Sequence, residues 1–348
     1  MLGPRDVDAA EALRRALDHA GICWFLVGPL FVISNAGSRL GEIAASLTER
    51  LSMQVLMNIQ AAFASTDVRT AEDALVALCT SKPLADCLET MPHEWAREAL
   101  DQGWLFSVFH PIVHAMTGEV FGYESLIRAN NPSNGQMYGA GQIIQSCELL
   151  KLHHRLDQQA RRTAIAAASR LDVAKSARFF INFMPNTIYN PEICLRTTME
   201  AADEYGVPLS QLVFEVVETE KITDMKRLKN ILTYYQERGA KVAVDDMGAG
   251  FTCVEYLTAL EPDFVKIDRD VVVKAAVSPE HRTSFERVVA LAHRLEIAVI
   301  AEGIETRQQM QICQDAGVQY LQGFLFARPA NPPEKVAVER FTDFRIAA

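Results

Sequence analysis

Lys241-Val-Ala-Val-Asp-Asp-Met-Gly-Ala-Gly-Phe-Thr-Cys253 places two adjacent carboxylates at the end of an apolar run and follows them with glycines. Val242 to Val244 reads as a strand buried on both faces, as in the parallel sheets of α/β proteins. Asp245 and Asp246 therefore stand at its C-terminal mouth. Neighbouring strand residues point to opposite faces, so both carboxylates reach one ion only if the chain turns there. Gly248 and Gly250 supply residues that turn without steric cost. Taken alone, an Asp-Asp-x-Gly loop is more simply a helix cap; the repetition of polar residues on one strand after another overturns that reading.

Outward from this stretch, 348 residues with 49% hydrophobic and 22% charged side chains make an ordinary globular chain, long enough for a large barrel and a smaller domain. The net charge of −10 argues against polymeric nucleic acid and anionic membrane surfaces. An anionic substrate would need a local positive group. Seven cysteines without a C-x-x-C pair fit free thiols in a reducing compartment. Cys23, Cys79, Cys87, Cys147, Cys194 and Cys313 are expected to pack as small hydrophobes. The start shows no signal peptide, and the apolar run Ile22 to Ile33, broken at Gly28-Pro29, is too short for a membrane span and reads as core strands. A cytoplasmic chain is the expectation.

Residues 1–101 have a different texture from the rest. Val7 to Ala20 and Leu40 to Phe63 read as helices, Cys23 to Ser34 as strands broken at Gly-Pro, and Ala71 to Cys79 and Pro92 to Leu100 as further helices. The expectation is a small, mostly helical α+β region, either sensory or partner-binding, or a plain helical collar.

From Trp104 apolar strands alternate with amphipathic helices. Strands are predicted at Leu105 to Phe109, Val120 to Ile127, Phe179 to Phe183, Leu212 to Val217, Val242 to Val244, Phe264 to Ile267, Ala298 to Ala301 and Tyr320 to Leu321. Helices are predicted between most of them, at Gln158 to Ser169, Met225 to Arg238, Ser284 to Leu295 and Arg307 to Ala316. The alternation implies a parallel sheet, and its extent suits a (β/α)8 barrel. Phe109 to Glu119 is too short for a crossover and carries Thr117-Gly118, so the first two strands are expected to form an antiparallel hairpin. Residues 102–348 form the barrel in this reading.

Polar residues interrupt or end these apolar runs one strand after another: Glu124, Asn182, Glu215, Asp245 with Asp246, Lys266 with Asp268, Glu302 and Gln322. A charge in a barrel strand is costly unless paired or metal-bound. A series on successive strands indicates one shared site at the mouth. An all-oxygen set without His or Cys suits Mg2+ or Mn2+, and two nearby ions would suit phosphodiester hydrolysis.

Gly122-Tyr-Glu-Ser-Leu-Ile-Arg128, Ile181-Asn182, Phe214-Glu-Val-Val-Glu-Thr-Glu220, Asp245-Asp-Met-Gly-Ala-Gly-Phe251, Val265-Lys-Ile-Asp268, Ala301-Glu-Gly-Ile-Glu-Thr306 and Gln322-Gly-Phe324 resemble, in order and spacing, the motifs of the EAL-domain cyclic di-GMP phosphodiesterases. The resemblance covers roughly residues 104–330. It implies a modified barrel of TIM type with an antiparallel first strand, and Mg2+- or Mn2+-dependent hydrolysis of cyclic di-GMP to pGpG; Ca2+, with its longer and looser coordination, is expected to inhibit. By the same resemblance Glu124, Asn182, Glu215 and Asp245 match first-metal ligands, Asp246 a second-metal ligand, and Glu302 a position that helps hold metal or its water. Lys266 matches the lysine that contacts the attacking water, and Glu218 the glutamate that anchors the loop after Asp246. Arg128 suits a phosphate oxygen, while His110, Ser125, Leu126, Asp268, Glu305 and Gln322 match substrate-contacting or orienting positions. A homodimer through the barrel, controlled through the loop Met247 to Cys253, is implied as well.

The departures are Ser125 for the motif's middle Ala, Met247 for Phe, Ala249, Thr252 and Cys253 in the loop, His110 for Gln and Phe324 for Tyr. No ligand position is lost. His153 and His154 read as solvated, His114 as hairpin surface, and Asp157 as an early-helix acid favoured by the macrodipole. The rival to an enzyme is a catalytically silent receptor for cyclic di-GMP.

Overall fold

Strands that alternate Phe, Ile and Val on both faces need a partner layer on each side, and a closed barrel ringed by helices provides it. The computed structural model describes residues 1–27, 30–33, 40–62, 70, 72, 73, 79, 81–171, 177–217, 224–247 and 252–336. Two units emerge, Met1–Arg97 with Ser146–Leu150, and Glu98–Gln145 with Lys151–Ala348.

In the first unit, β1 (Leu2–Pro4), β2 (Phe25–Val27), β3 (Leu30–Val32), β4 (Ile59–Ala61) and β5 (Lys82–Pro83) form an antiparallel sheet in the order β2-β3-β1-β4-β5. Helix Val7–His19, capped by Asp6, buries Leu13 and Leu17 with Leu47 and Ile59. The helix expected from Leu40 to Phe63 stops at Arg50, because Ser52 accepts from Val55 N and starts a short helix, Met53–Met57. Ile59–Ala61 then pairs with Leu2–Pro4, so tertiary pairing overrides local helical preference. The expected Pro92 to Leu100 helix divides into a 3-10 turn, Met91–His93, and helix Trp95–Gln102. Most of the expected Ala71 to Cys79 helix lies outside the described residues. Cys23 and Cys79 are exposed rather than packed; Cys87, Cys147 and Cys313 are buried.

The barrel strands are β6 (Leu105–His114), β7 (Val120–Asn130), β9 (Arg178–Phe183), β10 (Leu212–Val217), β11 (Lys241–Met247), β12 (Phe264–Ile267), β13 (Ala298–Ala301) and β14 (Tyr320–Gln322), with the two-residue β8 (Met137–Tyr138) added on β7. The order β6-β14-β13-β12-β11-β10-β9-β7 closes through a β6–β7 ladder. β6 is antiparallel to both neighbours and the remaining barrel ladders are parallel, as the short Phe109 to Glu119 connection requires. The predicted helices fall at His153–Ala168, Met225–Glu237, Pro279–Arg294 and Arg307–Asp315. The third starts earlier than expected because Ser278 accepts from His281 N and Pro279 tolerates the first turn.

Two apolar layers result. Ile112, Phe180, Val213, Ala243, Phe264 and Ile300 fill the barrel interior away from the mouth. Phe179, Ile181, Phe214 and their outward neighbours pack under the helices, where Phe214 stacks on Tyr235 with ring centroids 3.8 Å apart. Each such side chain contributes about 1.5–3 kcal/mol on burial. This stiff double wall holds the polar residues at the mouth.

Candidate active site

The period of two that buries Phe180 in the barrel also turns Asn182, two residues on, to the same side. Register then aligns the strands: Asn182 lies opposite Glu215, and Val217 opposite Asp245. Lys266 on β12 reaches the centre, with Nζ 2.6 Å from Glu302, 3.1 Å from Glu215, 3.1 Å from Asp245 and 3.6 Å from Glu124. Gln322 Nε2 donates to Glu124 Oε2 at 2.8 Å, and Asn182 Nδ2 donates to Glu124 at 3.3 Å and Glu215 at 3.4 Å. The polar residues that break seven strand patterns thus converge.

Asp245 and Asp246 share the site by a local device. The β11–β12 register shifts between Val244 and Met247, and Asp246 takes φ 54°, the left-handed region. Its N–H donates to Asp245 Oδ1 at 2.9 Å. The turn expected from the glycines is thereby made by Asp246 itself; Gly248 and Gly250 lie outside the described residues. Oxygens of Asp245, Asp246 and Glu302 come within 4.8 Å of one another, as do those of Glu124, Glu215 and Asp245.

Four buried or half-buried carboxylates around one ammonium leave excess negative charge. Burial pushes Glu302 up to about 8 and Asp246 up to about 6, and raises Glu215 well above the ordinary range and Asp245 less far. Burial also opposes charge on Glu124, but Lys266 and Gln322 outweigh it and hold Glu124 below its usual value. Lys266 resists the burial that disfavours its charge, because Asp245, Glu124, Glu215 and Glu302 surround it and raise its pKa. Such a cluster fits a hard divalent cation, whose charge replaces the protons these acids otherwise retain. Asn182 fits too: turning its amide end for end exchanges Nδ2 for a carbonyl donor.

Around this centre the other expected residues divide. His110 lies opposite Glu124 in the β6–β7 register, its ring 5.8 Å from that of Phe324, and burial lowers its pKa. Arg128 is half-buried on the Glu124 strand and donates to Ile127 O at 2.8 Å. Asp268 caps the helix Arg269–Val277 through Asp270 N at 2.8 Å, and Glu305 pairs with Arg269 at 3.2 Å. Leu126 alternates to the Glu124 side, whereas Ser125 faces outward, under the helices, and is not brought to the cluster. Glu218 lies outside the described residues.

The sequence reading of Asp157 is overturned. Rather than an early-helix acid held by the macrodipole alone, Asp157 is buried against Arg161, and it accepts from Met184 N and Thr187 Oγ1, both at 2.8 Å. Arg161 also bonds Thr198 at 2.9 Å. This network grips the segment that follows Asn182. Gly323 is a second residue with an unforeseen role: a Cβ there would sit 2.2 Å from Ile304 O, so only glycine lets Gln322 and the Glu302 loop approach this closely.

Comparison with known proteins agrees with this geometry. The chain is 29% identical over 262 residues to the probable cyclic di-GMP phosphodiesterase PdeG of Escherichia coli (strain K12), covering 71% of this chain and 51% of that one. It is 27% identical over 243 residues to the cyclic di-GMP phosphodiesterase NbdA of Pseudomonas aeruginosa, covering 69% and 31%. The chain thus spans about half or less of the length of these relatives. Among solved structures, a standalone EAL protein of Vibrio cholerae O395 in its c-di-GMP-bound form superposes with a TM-score of 0.61 at 32% identity, over 68% of this chain and 96% of the other. The PaMucR phosphodiesterase in complex with c-di-GMP gives 0.62 at 26%, over 70% and 97%. Residues 93–329 match the EAL domain, and the chain belongs to that family.

Proposed function

We propose that this chain hydrolyses cyclic di-GMP to linear pGpG with Mg2+ or Mn2+, lowering the level of a bacterial second messenger. The observation that carries the reading is the ring of Glu124, Glu215, Asp245 and Glu302 about Lys266. Relatives named as cyclic di-GMP phosphodiesterases support it. Glu124, Asn182, Glu215 and Asp245 hold one divalent cation; Asp246 and Glu302 complete a place for a second. A cation held there supplies Lewis acidity toward water and the phosphodiester. Arg128 pairs its guanidinium with a phosphate oxygen. His110, Leu126, Asp268, Glu305 and Gln322 orient the dinucleotide. Lys266, kept charged by its carboxylates, supplies positive charge and hydrogen bonds. Glu302, pushed by burial up to about 8, would give up its proton near neutral pH when a cation is bound.

Ca2+ inhibits, because its longer and looser coordination misplaces the same ligands. The protein acts in the cytoplasm as a barrel-to-barrel homodimer, with residues 1–101 as the regulatory or partner-binding region and 102–348 as the phosphodiesterase barrel. Chromatography of cyclic di-GMP incubated with purified protein and either metal tests the reading. Accumulation of pGpG, lost by more than about a hundredfold in Glu124→Ala, is the expected result. Intact cyclic di-GMP after prolonged incubation with excess protein overturns catalysis; tight calorimetric binding in that case leaves the silent receptor.

A further inference from the structure

Ser107 and Ser125 put two hydroxyls into apolar surroundings. In the β6–β7 ladder Ser107 is opposite Ile127 and Ser125 is opposite Phe109, so the serines are diagonal neighbours on one face. That face is the outer one: Phe109 and Tyr123 pack there with Phe179 and Ile165, while Glu124 points inward to Lys266. Both serines are more than nine-tenths buried, at 1% and 7% exposure, and neither Oγ has a hydrogen-bond partner among the described residues. They line a cavity of about 150 Å3 whose walls include Ile127, Ile144, Leu156 and Ala160 and which reaches Leu126 and Asn182 of the barrel mouth.

Packing gives no reason for hydroxyls here. Alanine would fill nearly the same space without burying a polar atom, and an unpartnered buried hydroxyl is unfavourable. Apolar walls with a few convergent polar groups are the composition of small-molecule sites, and a cavity of this volume admits a single aromatic ring. The one charged wall residue, Asp157, is already committed to Arg161, Met184 N and Thr187, so no free charge is offered to an ion. Ile144, one of the wall residues, is 42% exposed. We propose that this space between the barrel strands and the helices, which adjoins the barrel mouth at Asn182 and Leu126, is a second ligand site for a compact and mostly apolar molecule with one hydroxyl, of the size of a monocyclic phenol.

The test titrates 4-fluorophenol into the full chain and follows its fluorine resonance, with toluene as the probe lacking a hydroxyl. Saturable binding of both is expected. The double variant Ser107→Ala, Ser125→Ala should weaken 4-fluorophenol by about tenfold, the scale of one or two lost hydrogen bonds, and leave toluene within about twofold. Ala160→Leu should fill the cavity and abolish both; if it does not fold, the serine variant still decides. Absence of saturable binding, or an equal loss of both probes in the serine variant, would overturn the proposal.

Discussion

Replacing Lys266 by methionine removes the ammonium and keeps most of the stem's volume. The side chain is 1% exposed and faces carboxylates of Glu302, Glu215, Asp245 and Glu124 at 2.6 to 3.6 Å. Deleting one partner of a buried ion cluster costs about 3–5 kcal/mol, since the charges left behind stay uncompensated. Protonation relieves part of that cost. Glu302 already stands at about 8, and Glu215 and Asp245 are raised, with Lys266 the main group holding all three down. Without Lys266 they rise further, so the folded variant binds protons that the unfolded chain does not. Its stability therefore grows as pH falls through the raised folded values toward the unfolded range, and the deficit shrinks. For a unit of this size 1 kcal/mol moves Tm by about 2–4 °C, so a cost of about 3 kcal/mol lowers Tm by about 6–12 °C. Calorimetric melts of the full chain in EDTA near pH 8 and near pH 6, repeated with Mn2+, read this directly. The expected deficit is largest at the higher pH and mostly restored by the ion. A deficit under about 2 °C near pH 8, or one that grows at lower pH, refutes Lys266 as the counter-charge of the cluster.

Metal affinity should fall as pH drops from about 8 to about 6, because Glu302 and Asp246, pushed up to about 8 and about 6, must release their protons on binding; calorimetry in buffers of different ionisation enthalpy that finds no proton release contradicts this. Asp246→Gly keeps the left-handed turn and should stay within about 1 kcal/mol of the parent on denaturation, whereas Asp246→Val should cost about 2 kcal/mol; equal stabilities would mean the turn is not left-handed. Gly323→Ala would set a Cβ 2.2 Å from Ile304 O and should cost more than about 2 kcal/mol with reduced turnover, so an unchanged melt argues against that close approach. Cys313, buried and with its thiol pushed up to about 12, should resist thiol reagents that label the exposed Cys23 and Cys79, and peptide mapping that finds Cys313 labelled first reverses the assignment.

The barrel was legible because its strands are buried on both faces, which leaves unbroken runs such as Val242 to Val244 and makes each polar interruption conspicuous. Lys266 inside Phe264-Val-Lys-Ile267 has no surface reading, and it is buried among four carboxylates. Ser125 is a place where motif likeness and strand geometry part: alternation turns the neighbour of an inward Glu124 outward. Asp157 was illegible for a different reason. An Asp and an Arg four residues apart on a helix look the same whether solvated or buried, and Thr187 and Met184, which decide the matter, are distant in sequence. In the first unit, Leu40 to Phe63 has the composition of a helix throughout, and only the distant Leu2–Pro4 strand recruits Ile59–Ala61 into a sheet.

The reversed direction of β6 changes where the polypeptide meets the barrel. Leu105 pairs with Ala129, beyond Glu124 toward the open end of β7, so the chain joins the barrel at its rim rather than its base. In an all-parallel barrel a pull on the incoming chain would have to travel the height of the wall to reach the mouth. Here the point of attachment is a few residues from His110 and from the Glu124 that faces it. Tension at residue 104 would load first the ladder pairs nearest the open end, Leu105 with Ala129 and Phe106 with Arg128, a few residues from the candidate site.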